Sequence, residues 1–201
     1  ASISKASIKD AERAINAANE VQPSWASTSP EKRANLVLDL ADSMREHRDE
    51  LSSWMIYEVG KSWREADGDV CEAIDFCEYY AREMKLLERP KKMGNLPGEH
   101  NLLNYQPRGV AAVIAPWNFP LAILTGMTIA AAVTGNTVIL KPAEQSSAIA
   151  YQFMRLVQKV GFPNGVINYL PGDGETVGAY LVDHDLTDIV AFTGSMGVGL
   201  D

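Results

Sequence analysis

The first ninety residues carry apolar positions at helical spacing. Ser7 to Glu20 is an alanine-rich amphipathic segment with Ser7 placed to cap it. Ser29-Pro30-Glu31-Lys32 opens a second helix, with Ser29 as N-cap and Pro30 at the first helical position. Ala34, Val37 and Ala41, with Leu36 and Leu40 beside them, form its buried stripe, and the charged stretch Arg45 to Glu50 reads as a solvated helix face. Gly60 breaks the pattern, and Trp63 to Leu87 predicts a third helix. Pro90 to His100, rich in Pro, Gly and Lys, is a linker, and Leu102 to Arg108 alternates weakly, as a strand outside any main sheet would.

From residue 110 the period changes. Short apolar runs at Val110 to Ala115, Asn136 to Leu140, Val166 to Leu170 and Asp188 to Phe192 alternate with helical segments: one from Leu121, one from Ser146 to Val160, one ending near Val182, and the start of a last. Strands with so little polar content, each followed by a helix, predict a parallel sheet covered on both faces. Right-handed crossovers then bring every strand-to-helix loop to one sheet edge, where open α/β sheets bind ligands.

Bulk properties narrow the partners. A net charge of -8 argues against nucleic acid, whose phosphates need a basic surface. Any anionic ligand must then be held locally, by helix amino termini and single cations. The longest apolar run, Leu121 to Thr134, falls short of the roughly 20 residues that a membrane helix needs. No signal peptide is visible at the start, so the expected location is the cytoplasm. Cys71 and Cys77 point to different faces of one helix and read as ordinary reduced thiols; no metal-ligand spacing exists. His47, His100 and His184 are far apart in polar surroundings and take no role.

Four loops at the expected ligand edge carry candidate chemistry, each with a plainer alternative. Gly172-Asp173-Gly174-Glu175-Thr176-Val177-Gly178 departs by one residue from a dinucleotide fingerprint; its glycines suit positive φ and close ligand approach, or simply a tight turn. Phe192-Thr193-Gly194-Ser195 suits a pyrophosphate at a helix amino terminus, or an ordinary cap. Lys141 and Glu144 flank a proline just past the second strand. They can hold the hydroxyls of an adenosine ribose, with the acid repelling a 2′-phosphate, or form a solvated pair. In Pro116-Trp117-Asn118-Phe119-Pro120 two prolines stiffen a loop in which Asn118 offers an amide donor for an oxyanion, while a purely structural aromatic turn is the other reading.

Taken together, Ala115 to Pro120, Lys141-Pro142-Ala143-Glu144, Pro171-Gly172-x-Gly174 and Phe192-Thr193-Gly194-Ser195 resemble the aldehyde dehydrogenase superfamily. Tyr57-Glu58-Val59-Gly60-Lys61, Glu65-Ala66-Asp67, Asp69-Val70, Glu72 to Phe76, Tyr79-Tyr80-Ala81, Phe119 to Ile123 and Thr125-Gly126-Met127 resemble its 1-pyrroline-5-carboxylate dehydrogenases. The resemblance implies an α/β fold, a Rossmann-like parallel sheet with helices on both faces, preceded by an amino-terminal helical region. It divides the chain into helices (1–90), a linker with an oligomerisation strand (91–109) and Rossmann-like βα units (110–201). It implies NAD-dependent oxidation of L-glutamate γ-semialdehyde to glutamate in proline breakdown, by an enzyme that assembles with copies of itself. Asn118 is then half of an oxyanion hole, and Lys141 and Glu144 hold the adenosine ribose. Ile114, Pro116, Trp117, Gly174, Gly178 and Ser195 line the NAD site; Phe119 faces the substrate funnel and Glu58 gates it. The family's general-base and nucleophilic-cysteine motifs are not among these residues, so the expectation is a truncated NAD-binding domain without its catalytic domain, inactive alone. A dinucleotide-binding or assembly module, and a semialdehyde dehydrogenase of other specificity, remain alternatives.

Overall fold

The computed structural model describes residues 2–200. Helix α1 (Ile8–Ser27) starts at a reciprocal cap: the Ser7 hydroxyl accepts from the Asp10 amide and the Asp10 carboxylate accepts from the Ser7 amide. It continues through Pro23, past the end of the amphipathic segment, because Trp25 is buried and donates its indole N–H to Ala132 O at 2.9 Å. Helix α2 (Pro30–Glu46) is capped by Ser29 with Pro30 in its first turn, as its sequence predicts. The charged stretch after it is not one continuous helix face. His47 leaves helical geometry (φ -106, ψ 17), and α3 (Arg48–Val59) begins anew, ending at Gly60 in the left-handed region. The His47 ring also bonds Ser43 O at 2.7 Å, closing α2 with neither glycine nor proline to announce it. Helix α4 (Trp63–Leu87) has the predicted bounds and a Ser62–Glu65 capping box.

Strands β1 (Lys91–Lys92) and β2 (Leu102–Leu103) pair antiparallel, apart from the main sheet. That sheet holds β3 (Val110–Ile114), β4 (Thr137–Lys141), β5 (Ile167–Tyr169) and β6 (Ile189–Phe192), all parallel in the order β5-β4-β3-β6. Its crossovers are α5 (Ala122–Val133), α6 (Ser147–Lys159), and a π-helical turn (Gly174–Gly178) running into α7 (Ala179–Asp183); α8 (Met196–Leu200) follows β6.

Strand alternation sorts the core into two layers. Ala111, Val113, Val138 and Leu140 pack with α2 to α6, whereas Val110, Ala112 and Ile139 pack against Ala11, Ile15 and Ala18 of α1 and Leu181 of α7. Helix α1 therefore covers one sheet face while its sequence neighbours α2 to α4 lie on the other. Among the described residues no helix is long and apolar enough to cross a membrane.

A buried arginine joins the two halves. Arg33, 3% exposed, donates to Val133 O (2.8 Å), Ala26 O (3.2 Å) and Thr28 O, carbonyls left over where α5 and α1 end. Arg33→Met keeps the apolar stem but leaves the buried Val133 carbonyl, and the part-buried Ala26 and Thr28 carbonyls, without their donor. The expected loss is about 3 kcal/mol of unfolding free energy in a denaturant titration; a change under about 0.5 kcal/mol, the level of ordinary surface substitutions, would contradict this role.

Candidate functional site

The parallel register ends the strands together. Ile114 pairs with Lys141 on one side and Phe192 on the other, and Leu140 pairs with Tyr169. Hydrogen bonds continue into the loops: Ala115 N to Lys141 O (3.1 Å), Leu170 N to Leu140 O (2.9 Å) and Thr193 N to Ile114 O (3.1 Å). The loops bearing Asn118, Glu144, Gly174 and Ser195 thus leave the same edge. The chain reverses its direction of travel across the sheet between β3 and β6, the topological switch point at which such sheets form a ligand crevice.

At the β4 end Lys141 is buried, and its ammonium donates to Glu144 Oε1 (3.1 Å) and Pro142 O (3.2 Å). The same Glu144 oxygen accepts from Gly174 N–H at 2.7 Å. Desolvation pushes the Glu144 carboxyl up, but bonds from its own backbone, Lys141 and Gly174 outweigh it and hold the group below its ordinary value. Lys141 and Glu144 are therefore a fixed pair tied to the next loop, unlike a solvated surface pair.

The glycines of that loop depart from the expectation in their backbone alone. Gly172, Gly174 and Gly178 all avoid positive φ; Gly178 is helical at φ -62, ψ -51. Their value is the missing side chain. A Cβ on Gly178 would sit 3.5 Å from the Lys141 stem and one on Gly174 3.7 Å from Glu144 Oε1, so side chains there would fill the space over the pair. A Cβ on Gly172 would come within 2.8 Å of Val177, so that glycine permits close packing of the turn.

At the β3 end Ile114 and Pro116 are half-buried, while Trp117, Asn118 and Phe119 are exposed. The Asn118 amide has no hydrogen-bond partner among the described residues and lines a cleft of about 510 Å³ with Trp117, Phe119, Lys61, Glu65, Asp69 and Glu72. Lys61 stands over the Phe119 ring, 4.4 Å from its centroid, and pairs with the buried carboxylate of Asp69. Sequence reasoning gave Lys61 and Asp69 no role beyond the resemblance. Their contacts with Phe119 and Ala122 come from a distant segment, and local spacing carries no trace of them.

Glu58 lies elsewhere. Both its oxygens are taken by the first amides of α6, Ala148 N at 2.6 Å and Ile149 N at 2.8 Å, and it lines a second cleft, of about 240 Å³, with Glu144, Lys5, Pro171 and Gly172. The structure therefore places Glu58 at the α6 amides and not among the residues that line the cleft of Asn118 and Phe119. Ser195 is exposed and its hydroxyl accepts from Val198 N (3.3 Å), the ordinary capping bond. Cys77 is fully buried and its thiol is pushed up to about 12 by burial, so it stays protonated and unreactive.

Residues 1–201 match the model of the aldehyde dehydrogenase family. A 1-pyrroline-5-carboxylate dehydrogenase 1 from Halalkalibacterium halodurans is 49% identical over 99% of this chain and 39% of its own length. Proline utilization A from Bdellovibrio bacteriovorus, inactivated by N-propargylglycine, has a TM-score of 0.96 at 55% identity, covering 98% of this chain and 20% of that one. A 1-pyrroline-5-carboxylate dehydrogenase from Thermus with bound NAD has a TM-score of 0.95 at 47% identity, covering 98% and 38%. The chain thus spans about two fifths of the length of these dehydrogenases.

Proposed function

The chain belongs to the aldehyde dehydrogenase family, and on that premise we propose that it is part of an enzyme that oxidises L-glutamate γ-semialdehyde, in equilibrium with 1-pyrroline-5-carboxylate, to glutamate with NAD. One observation carries the reading: Lys141 and Glu144, locked to Gly174, share a sheet edge with a stiff loop that holds an unpartnered Asn118 amide. The donor set fits an adenosine ribose, since a buried ammonium and a carboxylate stand under glycines whose missing side chains keep the space open. When bound, NAD supplies the hydride acceptor.

The residues of this chain divide the remaining work. Lys141 and Glu144 bind the ribose hydroxyls, and Ile114, Pro116, Trp117, Gly174, Gly178 and Ser195 form the walls. Asn118 donates to the aldehyde oxygen as a nucleophile adds to the carbonyl and charge grows there. Phe119 borders the substrate. Glu65 is engaged by its own capping box, whereas the Glu72 carboxylate is exposed on the cleft wall and suits the substrate's α-ammonium. Buried Cys77 cannot be the attacking thiol, and Cys71, on α4, is not among the residues of the Asn118 cleft. We assign the thiol and general base to residues outside these 201. The β1–β2 ribbon, with Leu102 and Leu103 exposed, and the exposed Tyr105 just after it support self-association.

The test is NADH formation by the active enzyme, comparing glutamate semialdehyde with succinate semialdehyde, which is one carbon shorter and lacks the ammonium group. Glutamate semialdehyde is expected to be preferred, with Cys71→Ser as active as the parent. Preference for succinate semialdehyde would assign another specificity, and NAD binding without turnover would favour a binding module.

A further inference from the structure

Helices α5 and α6 both leave the ligand edge, and neither caps itself. The N-cap of α5 is Leu121, which has no acceptor, and Ser146 at the start of α6 makes no side-chain cap bond. Each amino terminus instead receives a carboxylate from the α3–α4 layer. Asp69, with no exposed side-chain surface, accepts from Ala122 N at 2.6 Å through one oxygen and pairs with Lys61 through the other. Glu58 spans Ala148 N and Ile149 N with its two oxygens. The segments immediately before these helices carry the chemistry: Pro116 to Pro120 with Asn118 before α5, and the 3-10 turn Glu144–Ser146 before α6.

We propose that Asp69 and Glu58 are positioning residues with separate duties: Asp69 sets the oxyanion donor Asn118, and Glu58 sets the ribose acid Glu144. This rests on the reading of Asn118 and Glu144 given above. Asp69 holds the first residue of α5, four positions from Asn118, and its partner Lys61 presses on the adjoining Phe119 ring. Aimed wrongly, Asn118 fails only as charge develops, so the loss falls on kcat. Glu58 binds the first turn of α6, four and five positions after Glu144, and shares its cleft, so its loss loosens the grip on the dinucleotide and falls on the KM for NAD. A general structural role for either carboxylate would lower the melting temperature without splitting the two parameters.

The experiment uses the active enzyme with Asp69→Asn, Glu58→Gln, Asn118→Ala and Glu144→Gln, reading kcat and the KM for NAD at saturating aldehyde. Asp69→Asn puts an amide N–H₂ against Lys61 and is expected to lower kcat about tenfold with the KM for NAD within about twofold. Glu58→Gln turns one acceptor into a donor facing an amide, and is expected to raise the KM for NAD about fivefold with kcat within about twofold. If Asp69→Asn does not fold, Lys61→Met keeps the Ala122 cap and is expected to give a smaller, kcat-only fall. Equal effects on both parameters, or none, in Asp69→Asn or Lys61→Met and in Glu58→Gln overturn the proposal while Asn118→Ala and Glu144→Gln still behave as a donor and a ribose ligand. If those two controls leave kcat and the KM for NAD unchanged, the underlying reading of the site fails and the proposal falls with it.

Discussion

Asn118→Ala is expected to lower kcat by about 10²- to 10³-fold, with NAD affinity within about twofold of the parent. The loop predisposes to this result. Half-buried Pro116 and buried Pro120 hold its ends, so the backbone persists when the side chain is shortened. The Asn118 amide makes no hydrogen bond among the described residues, so its loss costs the fold nothing comparable and the melting temperature should hold. What disappears is a preset donor to an oxygen that becomes anionic only in the transition state, and an interaction of that kind registers in kcat. A variant with normal kcat and raised KM would mean that Asn118 binds the ground state.

Glu144→Gln is expected to raise the KM for NAD about tenfold, near 1.4 kcal/mol, and to narrow the preference over NADP, while kcat stays close to the parent's. The carboxylate accepts from Lys141 and Gly174, and these bonds hold it below the ordinary glutamate value despite its desolvation. The amide keeps the shape but exchanges one acceptor for a donor and removes the charge that repels a 2′-phosphate. Because the folded-state value is lowered, the charged form persists as pH falls through the ordinary carboxylate range. NAD affinity in the parent should therefore stay level there and decline only below it. Unchanged cofactor selectivity in Glu144→Gln would move the ribose elsewhere.

The parts of this account legible in the chain were those with local causes. Ser29-Pro30, Ser62 with Glu65, and the four apolar runs each state their structure within a few residues, and the parallel sheet with its shared edge follows from their alternation. The parts not legible depend on partners far along the chain. Glu58 looks like any exposed helix acid until α6 arrives with two uncapped amides; Asp69 likewise awaits Ala122. The break at His47 lacks a punctuating residue, and the passage of α1 to the far face follows from where Ile15 and Ala18 find apolar neighbours. Of the properties read into the glycines after β5, positive φ is absent, while the missing side chain leaves room over Lys141 and Glu144 and lets the turn pack on Val177.

A crystal structure of the active enzyme with NAD tests the central geometry most directly. The adenosine ribose hydroxyls are expected on Lys141 Nζ and the Glu144 carboxylate, with the nicotinamide reaching the loop of Asn118. A dinucleotide bound away from β4, or one whose nicotinamide points away from that loop, would contradict that geometry.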